Sequence, residues 1–220
     1  HLSLIKKAKK KSKNVLVTIY VNPKQFTSNF NFREYPRNIR RDIVLLKKTK
    51  IKYLYLPSFK DIYSFRPKTP IYLDKFSNKL CGKFRPEHFK GVLNVINRFL
   101  EIIKPSSIFL GSKDFQQLTL IKFHINKNKI STKIVACPTI REKSGIAMSS
   151  RNRTLSKNQI EIAKKVFKYL KNNKKKIFLK INKKKLSEVL DKIILLGVRK
   201  IDYLNCINLK KLKKPKKIKE

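Results

Sequence analysis

The stretch SIFLGSKDFQQL, residues 107–118, joins a short apolar run to a cluster of polar side chains of several chemistries. The run SIFL, with β-branched and aromatic residues, is typical of a buried strand in a parallel sheet. After the polar cluster, Leu118, Leu120 and Ile121 recur at helical spacing. The sequence therefore predicts a strand-to-helix turn at residues 111–114, with Asp114 as the N-cap of the helix.

Turns of this kind lie at the carboxyl ends of strands in open α/β sheets. Ligands bind at these ends, and helix N-termini offer free N–H groups to anions there. Lys113 and Gln117 are four residues apart, so they share a face if the helix begins near Lys113. We therefore expect a cation and an amide at the mouth of a ligand site.

Two further polar clusters follow other predicted elements. Residues 14–21, NVLVTIYV, predict a strand that ends at Asn22 and Gln25, although both residues also fit ordinary turn chemistry. The loop SGIAMSSRN, residues 144–152, offers backbone N–H groups, two hydroxyls and an Arg, which suit a polyphosphate. Serine-rich loops are common, so this pattern alone is only moderately specific.

The segment LCGKFRPEHFKGV, residues 80–92, contains an Arg and a His close to a predicted helix. Arg85 is suited to binding phosphate or carboxylate through its two-pronged guanidinium. A lone histidine such as His88 more often lies at a helix N-terminus and binds a backbone carbonyl than takes part in catalysis.

The rest of the chain alternates strands and helices. Further strands are predicted at 52–56, 133–136 and 198–205, and helices at 2–13, 36–46, 92–103, 157–171 and 186–196. Loops are predicted at 27–35, 59–70 and 172–176, and the charged tail 210–220 is predicted to fray. This alternation predicts an α/β fold with a doubly wound parallel sheet.

The strong positive charge has two interpretations. The 220 residues include 56 Lys and Arg against 13 Asp and Glu, a formal net charge of +43. Such an excess favours a nucleic-acid partner, because cations that neutralise phosphates release counterions. Abundant Lys, Ile and Asn are also what AT-rich codons produce, in which case the lysines are solvated surface.

Several signatures are missing from the sequence. Cys81, Cys137 and Cys206 match no metal-ligand spacing or disulfide framework, which favours a reducing cytoplasm. No apolar run approaches the roughly 20 residues of a membrane span. No Walker-type loop, dinucleotide fingerprint or Ser-His-Asp order is present. The residues alone therefore lead to a nucleotide site without these signatures.

Four collinear motifs resemble one known family. They are IYVNPKQF at residues 19–26, RPEHFKGV at 85–92, GSKDFQQL at 111–118 and SGIAMSSRN at 144–152. In order and spacing they look like the pantothenate synthetases, the pantoate–β-alanine ligases of the nucleotidylyltransferase superfamily. The resemblance covers essentially the whole chain.

The resemblance implies a Rossmann-like domain that binds ATP and pantoate over residues 1–153, and a smaller C-terminal α+β lid domain over residues 154–220. It implies a cytoplasmic, homodimeric ligase of pantothenate and coenzyme A biosynthesis, with neither a specific nucleic acid nor a membrane as partner. Pantoate would attack the α-phosphate of MgATP to give pantoyl adenylate and pyrophosphate, and β-alanine would then displace AMP. The motifs identify no metal ligands.

The resemblance also assigns roles to individual positions. Pantoate would contact Gln25 and Gln117, with Asn22 nearby. ATP would contact Gly111, Lys113, Asp114, Met148, Ser149, Ser150 and Arg151. The catalytic positions would be His1, Lys113, Ser149 and Arg151, and Arg85 matches an arginine near the site.

The two ends of the chain depart from the family pattern. His1 matches the last histidine of a HIGH-like signature, and the strand and turn before that histidine have no counterpart here. The C-terminus also stops before the family's last strands. We therefore expect a fragment with the N-terminal strand missing, an incomplete lid domain, and low or no activity.

Two alternative functions remain at this point. One is a basic nucleic-acid-binding protein, which requires lysines clustered on one face with interleaved aromatic residues. The other is a different adenylyl-transferring nucleotidylyltransferase, from which the pantoate-specific Gln25 and Gln117 would distinguish this chain.

Overall fold

The computed structural model describes residues 1–26, 28–179, 183–209, 211–213 and 215. Its internal contacts divide the chain into two compact units, His1–Thr139 and Ile140–Glu220. The division follows Thr139, whereas the predicted domain boundary follows residue 153. The serine-rich loop at residues 144–152 therefore belongs to the C-terminal unit.

Short parallel strands form the β structure of the N-terminal unit. Strand β1 (Leu16–Thr18) pairs with β2 (Tyr53–Tyr55), and β3 (Ser107–Gly111) pairs with β4 (Lys133–Cys137). Their hydrogen bonds define two separate two-stranded sheets. Parallel pairing between strands that alternate with helices confirms the predicted α/β class.

The helices of the N-terminal unit alternate with these strands. They are α1 (Leu2–Lys9), α2 (Asn29–Arg33), α3 (Ile39–Lys47), α4 (Phe59–Tyr63), α5 (His88–Ile103) and α6 (Phe115–Lys127). Helix α1 buries Ile5 and Ala8, as its amphipathic pattern predicts. None of the helices in the described part of the chain has both the length and the apolar character needed to cross a bilayer.

The main apolar core holds α5 and α6 against the β3–β4 pair. Its buried members are Val92, Leu93, Leu100, Ile121 and Ile125, and Ile108, Leu110 and Ile134 of the strands pack against them. Burying one such side chain contributes about 1.5–3 kcal/mol. The core thereby fixes α6 relative to the strand that ends at the polar turn.

A buried polar network joins α5 to α6 beside this core. His124 is 0% exposed, and its Nε2 lies 2.9 Å from Oδ1 of Asn97. Its Nδ1 accepts a hydrogen bond from the backbone N–H of Tyr72 at 3.3 Å and lies 3.2 Å from Nδ2 of Asn128. Asn97 in turn donates to Oε1 of Glu101 at 3.0 Å. These contacts fit a neutral imidazole with its proton on Nε2.

The described part of the C-terminal unit is mostly helical. Helix α7 (Lys157–Leu179) and helix α8 (Lys183–Leu195) share a small core of Ile177, Val189 and Ile193. Ser156 and Gln159 cap α7 reciprocally, because each side chain binds the other residue's backbone N–H. Two isolated antiparallel bridges, Arg141 with Ala147 and Asn208 with Lys213, supply its β structure.

Several predicted helix boundaries are wrong. Helix α1 ends at Lys9 rather than residue 13, and α8 begins at Lys183 rather than residue 186. Helix α3 begins at Ile39 rather than residue 36, because the side chain of Asn38 caps it by accepting from the N–H of Arg41. Helix α5 begins at His88 rather than residue 92. Helix α7 continues to Leu179 through residues 172–176, which were predicted to be a loop. Lysine has a high helix propensity, so a lysine-rich stretch can stay helical even where apolar residues do not recur at helical spacing.

Other elements also differ from the sequence prediction. Helices α2 and α4 lie in predicted loops, and Ser58 with Asp61 forms a capping box at α4. The predicted strand at 198–205 does not form. The strand predicted at 14–21 is reduced to Leu16–Thr18. Most of the tail 210–220, predicted to fray, lies outside the described residues.

The buried His124 should make stability depend on pH. Burial lowers the pKa of His124 below its ordinary value of 6.5, against an opposing effect of the Glu101 carboxylate. Because the unfolded chain then binds the proton more readily, stability is full above about pH 6.5 and falls as the pH drops towards the folded pKa. We expect the free energy of unfolding to fall by up to about 1.4 kcal/mol per pH unit in that window.

Urea denaturation between about pH 7 and pH 5 measures this slope. The matched control is His124→Gln, which cannot titrate there and should show a shallower pH dependence. Equal slopes for the two proteins would contradict the assignment to His124.

Candidate active site

The turn after β1 is built around the buried amide of Asn22, which is 1% exposed. Its Oδ1 accepts from the backbone N–H of Lys24 at 3.1 Å and from the hydroxyl of Tyr63 at 2.9 Å. Its Nδ2 donates to the carbonyl of Gly91 at 2.9 Å. These bonds shape the 3₁₀ turn Pro23–Gln25, which confirms turn chemistry for Asn22. Its proximity to pantoate stays a prediction.

Gln25 differs from Asn22 because its side-chain amide makes no hydrogen bond within the described residues, although it is half-buried. Only its backbone is held: the carbonyl of Gln25 lies 2.7 Å from Nδ1 of His88. His88 is the first residue of α5, so the interpretation of His88 as a helix N-terminal residue bound to a backbone carbonyl is confirmed. The contact of Gln25 with pantoate stays a prediction.

A tyrosine pair borders the same turn. The hydroxyl of Tyr20 is buried and has no hydrogen-bond partner among the described residues. Burial, and secondarily the neighbouring Tyr63, raises the pKa of Tyr20 to about 12. Tyr20 therefore stays a protonated phenol at neutral pH.

The turn after β3 has an open backbone. Strand β3 ends at Gly111, a 3₁₀ turn spans Ser112–Asp114, and α6 follows from Phe115. A Cβ added at Gly111 would meet no non-neighbouring atom of the described residues within 4 Å. Lys113 is exposed on this turn. The backbone therefore leaves room for a ligand beside a cation.

Two details of this turn differ from expectation. Asp114 is the N-cap residue of α6, as predicted, but its side chain makes no capping hydrogen bond. Lys113 precedes the α-helix, which begins at Phe115, so the inference that Lys113 and Gln117 share a helix face does not apply.

The adjacent residues Gln116 and Gln117 are used in opposite ways. Gln116 is buried and donates to the carbonyls of Phe76 and Lys79, both at 2.7 Å, and its Oε1 accepts from Cys81 Sγ at 2.8 Å. Gln117 is half-buried, and its amide makes no hydrogen bond within the described residues. Sequence reasoning missed the structural role of Gln116, because its partners lie about 35–40 residues earlier in the chain.

Two further predicted site residues lie on the surface of the N-terminal unit. Arg85 is exposed at the end of the 3₁₀ turn Leu80–Phe84, and no described acidic side chain pairs with it. His1 is exposed at the N-cap position of α1, where its side chain makes no capping bond.

The serine-rich loop of the C-terminal unit extends from a hairpin. Arg141 bridges Ala147, its guanidinium donates to the carbonyl of Gly145 at 2.9 Å, and it stacks 4.5 Å from the ring of Phe167. Gly145 has φ +89°, and a Cβ there would lie 2.2 Å from the Phe167 ring. The hairpin therefore requires glycine both for its backbone and for its packing.

Asn152 closes the loop at its other end. It donates to Oε1 of Glu142 at 2.9 Å and to the carbonyl of Ala147 at 3.1 Å. Between these anchors lie Met148, Ser149, Ser150 and Arg151, the four residues predicted to contact ATP phosphates. Ser149 Oγ accepts from the backbone N–H of Arg151 at 3.3 Å, which begins a 3₁₀ turn, and the Arg151 side chain is exposed.

These features define an α/β protein whose parallel strands end in turns with an exposed lysine, open backbone and amides that lack a hydrogen-bond partner among the described residues. Such strand ends suit an anionic ligand. Among the described residues, no group of three His, Cys, Asp or Glu side chains is arranged to hold a metal ion.

Comparison with known proteins identifies the family within this class of α/β proteins. The family model described as pantoate–β-alanine ligase matches residues 1–220. A pantothenate synthetase from Francisella tularensis subsp. mediasiatica is 40% identical over 214 residues, which are 94% of this chain and 77% of the relative. The chain therefore belongs to the pantoate–β-alanine ligase family, a family of ATP-dependent ligases.

Solved structures agree with this assignment. A crystal structure of pantoate–β-alanine ligase from Francisella tularensis, complexed with beta-gamma ATP and β-alanine, has 39% identity and a TM-score of 0.79 over 93% of this chain and 77% of that chain. The Thermus thermophilus enzyme has 27% identity and a TM-score of 0.84 over 99% of this chain and 80% of that chain. Neither the nucleic-acid-binding alternative nor a different adenylyl transferase is favoured by these matches.

Replacing Asn22 should destabilise the N-terminal unit. Asn22→Ala leaves the carbonyl of Gly91 and the hydroxyl of Tyr63 without their partners, and each buried polar group left unsatisfied costs about 1–3 kcal/mol. We expect a loss of roughly 2–4 kcal/mol in the free energy of unfolding, measured by urea denaturation. The control Asn94→Ala removes an amide that makes no hydrogen bond among the described residues, and an equally large loss there would contradict this account.

Proposed function

We propose that this chain catalyses the ATP-dependent ligation of pantoate with β-alanine to pantothenate, through a pantoyl-adenylate intermediate. The observation that carries the proposal is the family match over residues 1–220. The related Francisella structure with beta-gamma ATP and β-alanine supports the same substrates. In the first step a pantoate carboxylate oxygen attacks the α-phosphorus of ATP and pyrophosphate leaves. In the second step the β-alanine amine attacks the acyl carbon and AMP leaves.

Gln25 and Gln117 bind pantoate in this proposal. Both amides are half-buried and lack an internal partner among the described residues, so each can donate to and accept from pantoate's hydroxyl and carboxylate groups. Asn22 contributes by shaping the turn that carries Gln25, since its own amide already makes three hydrogen bonds.

Gly111, Lys113 and Asp114 bind ATP at the end of β3. Open space at Gly111 allows the nucleotide to approach the backbone, and the Asp114 carboxylate can accept from ribose hydroxyls. The Lys113 ammonium stabilises the negative charge that develops on the α-phosphate in the transition state.

The loop of Met148, Ser149, Ser150 and Arg151 binds the β- and γ-phosphates of ATP. Its anchors at Arg141 and Asn152 preorganise the backbone N–H groups and hydroxyls that would face the phosphates. Residues 154–220 serve as a lid domain in this proposal, and His1 and Arg85 add positive or hydrogen-bonding groups at the site.

The substrate is MgATP, and magnesium arrives with the nucleotide. Mg²⁺ is usually held by substrate phosphates with one or two carboxylates rather than by an all-protein cage. We also propose a cytoplasmic homodimer as the assembly.

Product release tests the reaction. With ATP and pantoate the chain should release pyrophosphate, and AMP release should require β-alanine in addition. Chromatography of the nucleotides together with a pyrophosphate assay separates the two steps. AMP release that does not depend on pantoate would contradict the proposal.

Substitutions should separate the roles of Lys113 and Gln117. Lys113→Ala should lower kcat about 10²–10³-fold, because an oriented charge at the transition state is removed. Gln117→Ala should mainly raise the KM for pantoate, because it removes hydrogen bonds to the substrate. The matched control is Lys122→Ala, since Lys122 is exposed on α6. An equal effect of the two lysine substitutions would contradict a specific role for Lys113.

A further inference from the structure

The imidazole of His88 contacts the backbone of Gln25, a residue that the proposed function assigns to pantoate. Nδ1 of His88 lies 2.7 Å from the carbonyl oxygen of Gln25, at the short end of the range for N–H···O hydrogen bonds. A carbonyl oxygen can only accept, so Nδ1 carries a hydrogen and donates it to this bond. The contact joins the first turn of α5 to the turn after β1, 63 residues earlier in the chain.

The ring of His88 has a defined orientation at the start of α5. It is half-buried, and it makes an edge contact with the ring of Phe89, with 5.0 Å between the ring centroids. Phe89 is itself 4% exposed and therefore held by the surrounding core. Because its neighbour on α5 is fixed, the His88 donor is directed at the carbonyl of Gln25.

Both peptide groups that flank the Cα atom of Gln25 are held. On one side, the N–H of Gln25 donates to the carbonyl of Asn22 at 3.3 Å. On the other side, the N–H of Phe26 donates to the carbonyl of Pro23 at 3.2 Å, and the carbonyl of the same peptide group accepts from His88. A planar peptide group that is held at both its N–H and its C=O cannot rotate. The direction of the Cα–Cβ bond of Gln25 is therefore set before a ligand binds.

The bond from His88 differs in origin from the other two. The two N–H bonds are made within the 3₁₀ turn Pro23–Gln25 and its flanking residues. Hydrogen bonds of 3₁₀ turns have poorer geometry than those of α-helices, so a three-residue turn holds its own backbone weakly. The bond from α5 adds a constraint that the turn cannot supply by itself.

A binding group that is oriented in advance loses less conformational freedom when its ligand arrives. We propose that His88 is a positioning residue for pantoate, which orients Gln25 through the backbone without touching the substrate. The identity of the ligand rests on the proposed function, whereas the orientation of Gln25 by His88 rests on the hydrogen bonds. The transition-state charge is assigned to Lys113, so His88 acts on pantoate binding and not on the chemical step.

Calorimetric titration of the full chain with pantoate tests this role. The titration is made with α,β-methylene-ATP present, from which pyrophosphate cannot leave, so it measures binding without turnover. His88→Ala should weaken pantoate about tenfold, the effect of losing one hydrogen bond. In steady-state assays the KM for pantoate should rise by a similar factor, while kcat and the KM for ATP stay unchanged.

Two conservative variants separate positioning from a general loss of packing. Asparagine carries an amide N–H close to the place of the imidazole Nδ1–H, whereas the amide of glutamine lies one methylene farther from the backbone. His88→Asn should therefore restore most of the pantoate affinity, and His88→Gln should bind as weakly as His88→Ala. The matched control is Lys90→Ala, which should bind pantoate as the parent chain does. Lys90 is exposed on the same turn and pairs with Glu87 at 2.9 Å.

A double-mutant cycle tests whether His88 acts through Gln25. Gln25→Ala removes the amide that His88 is proposed to orient, so adding His88→Ala should weaken pantoate no further. Losses of affinity that add in the double variant would show that His88 acts by another route.

Four results would overturn the proposal. They are parent-like affinity of His88→Ala, equal affinities of His88→Asn and His88→Gln in chains whose thermal unfolding is the same, additive losses in the cycle, and a parent chain that does not bind pantoate at all. A parent chain that binds pantoate but releases no pyrophosphate with ATP would contradict the ligase proposal alone. The titrations with His88 variants would then still decide the positioning role.

Discussion

The close contact between the start of α5 and the turn after β1 is the constraint on which the N-terminal site depends. Gly91 permits it, because a Cβ at this position would lie 2.6 Å from the carbonyl oxygen of Lys24. With no side chain there, Asn22 reaches the carbonyl of Gly91, and His88 reaches the carbonyl of Gln25. Helix α5 thus fixes the backbone around Gln25 while the Gln25 amide stays available.

The same helix couples this turn to the one after β3. Farther along α5, Leu93 packs in the core with Ile121 of α6, and Asn97 binds His124 of α6. The first turn of α6 carries Gln117, whose amide is unpartnered within the described residues. The two glutamines proposed for pantoate are therefore held through one rigid helix pair, so a displacement of α5 would move both binding groups together.

Local patterns predicted the strand-to-helix turn at residues 111–114, but not which polar side chains it leaves for a ligand. Gln116 and Gln117 are adjacent and chemically identical. Gln116 has a structural role because its amide donates to the carbonyls of Phe76 and Lys79, which lie far away in the sequence. Asn22 and Gln25 differ for the same reason. The mistaken strand at 198–205 has the same cause, since a segment with strand-forming residues becomes a strand only where another strand pairs with it.

In a chain with a net charge of +43, acidic side chains are more informative than basic ones. Repulsion among the lysines opposes folding. Because lysines are so frequent, a lysine near a strand end is expected from composition alone and does not by itself indicate a site. Carboxylates are scarce, and several of them make defined structural contacts. Among these, Asp61 caps α4, Glu142 holds the serine-rich loop through Asn152, and Glu101 anchors the backbone of Thr69. Glu101 alone among these three leaves a buried oxygen unsatisfied. Because carboxylates are so few, one that binds a backbone or side-chain donor marks a contact that the fold uses, whereas an exposed lysine marks none by itself.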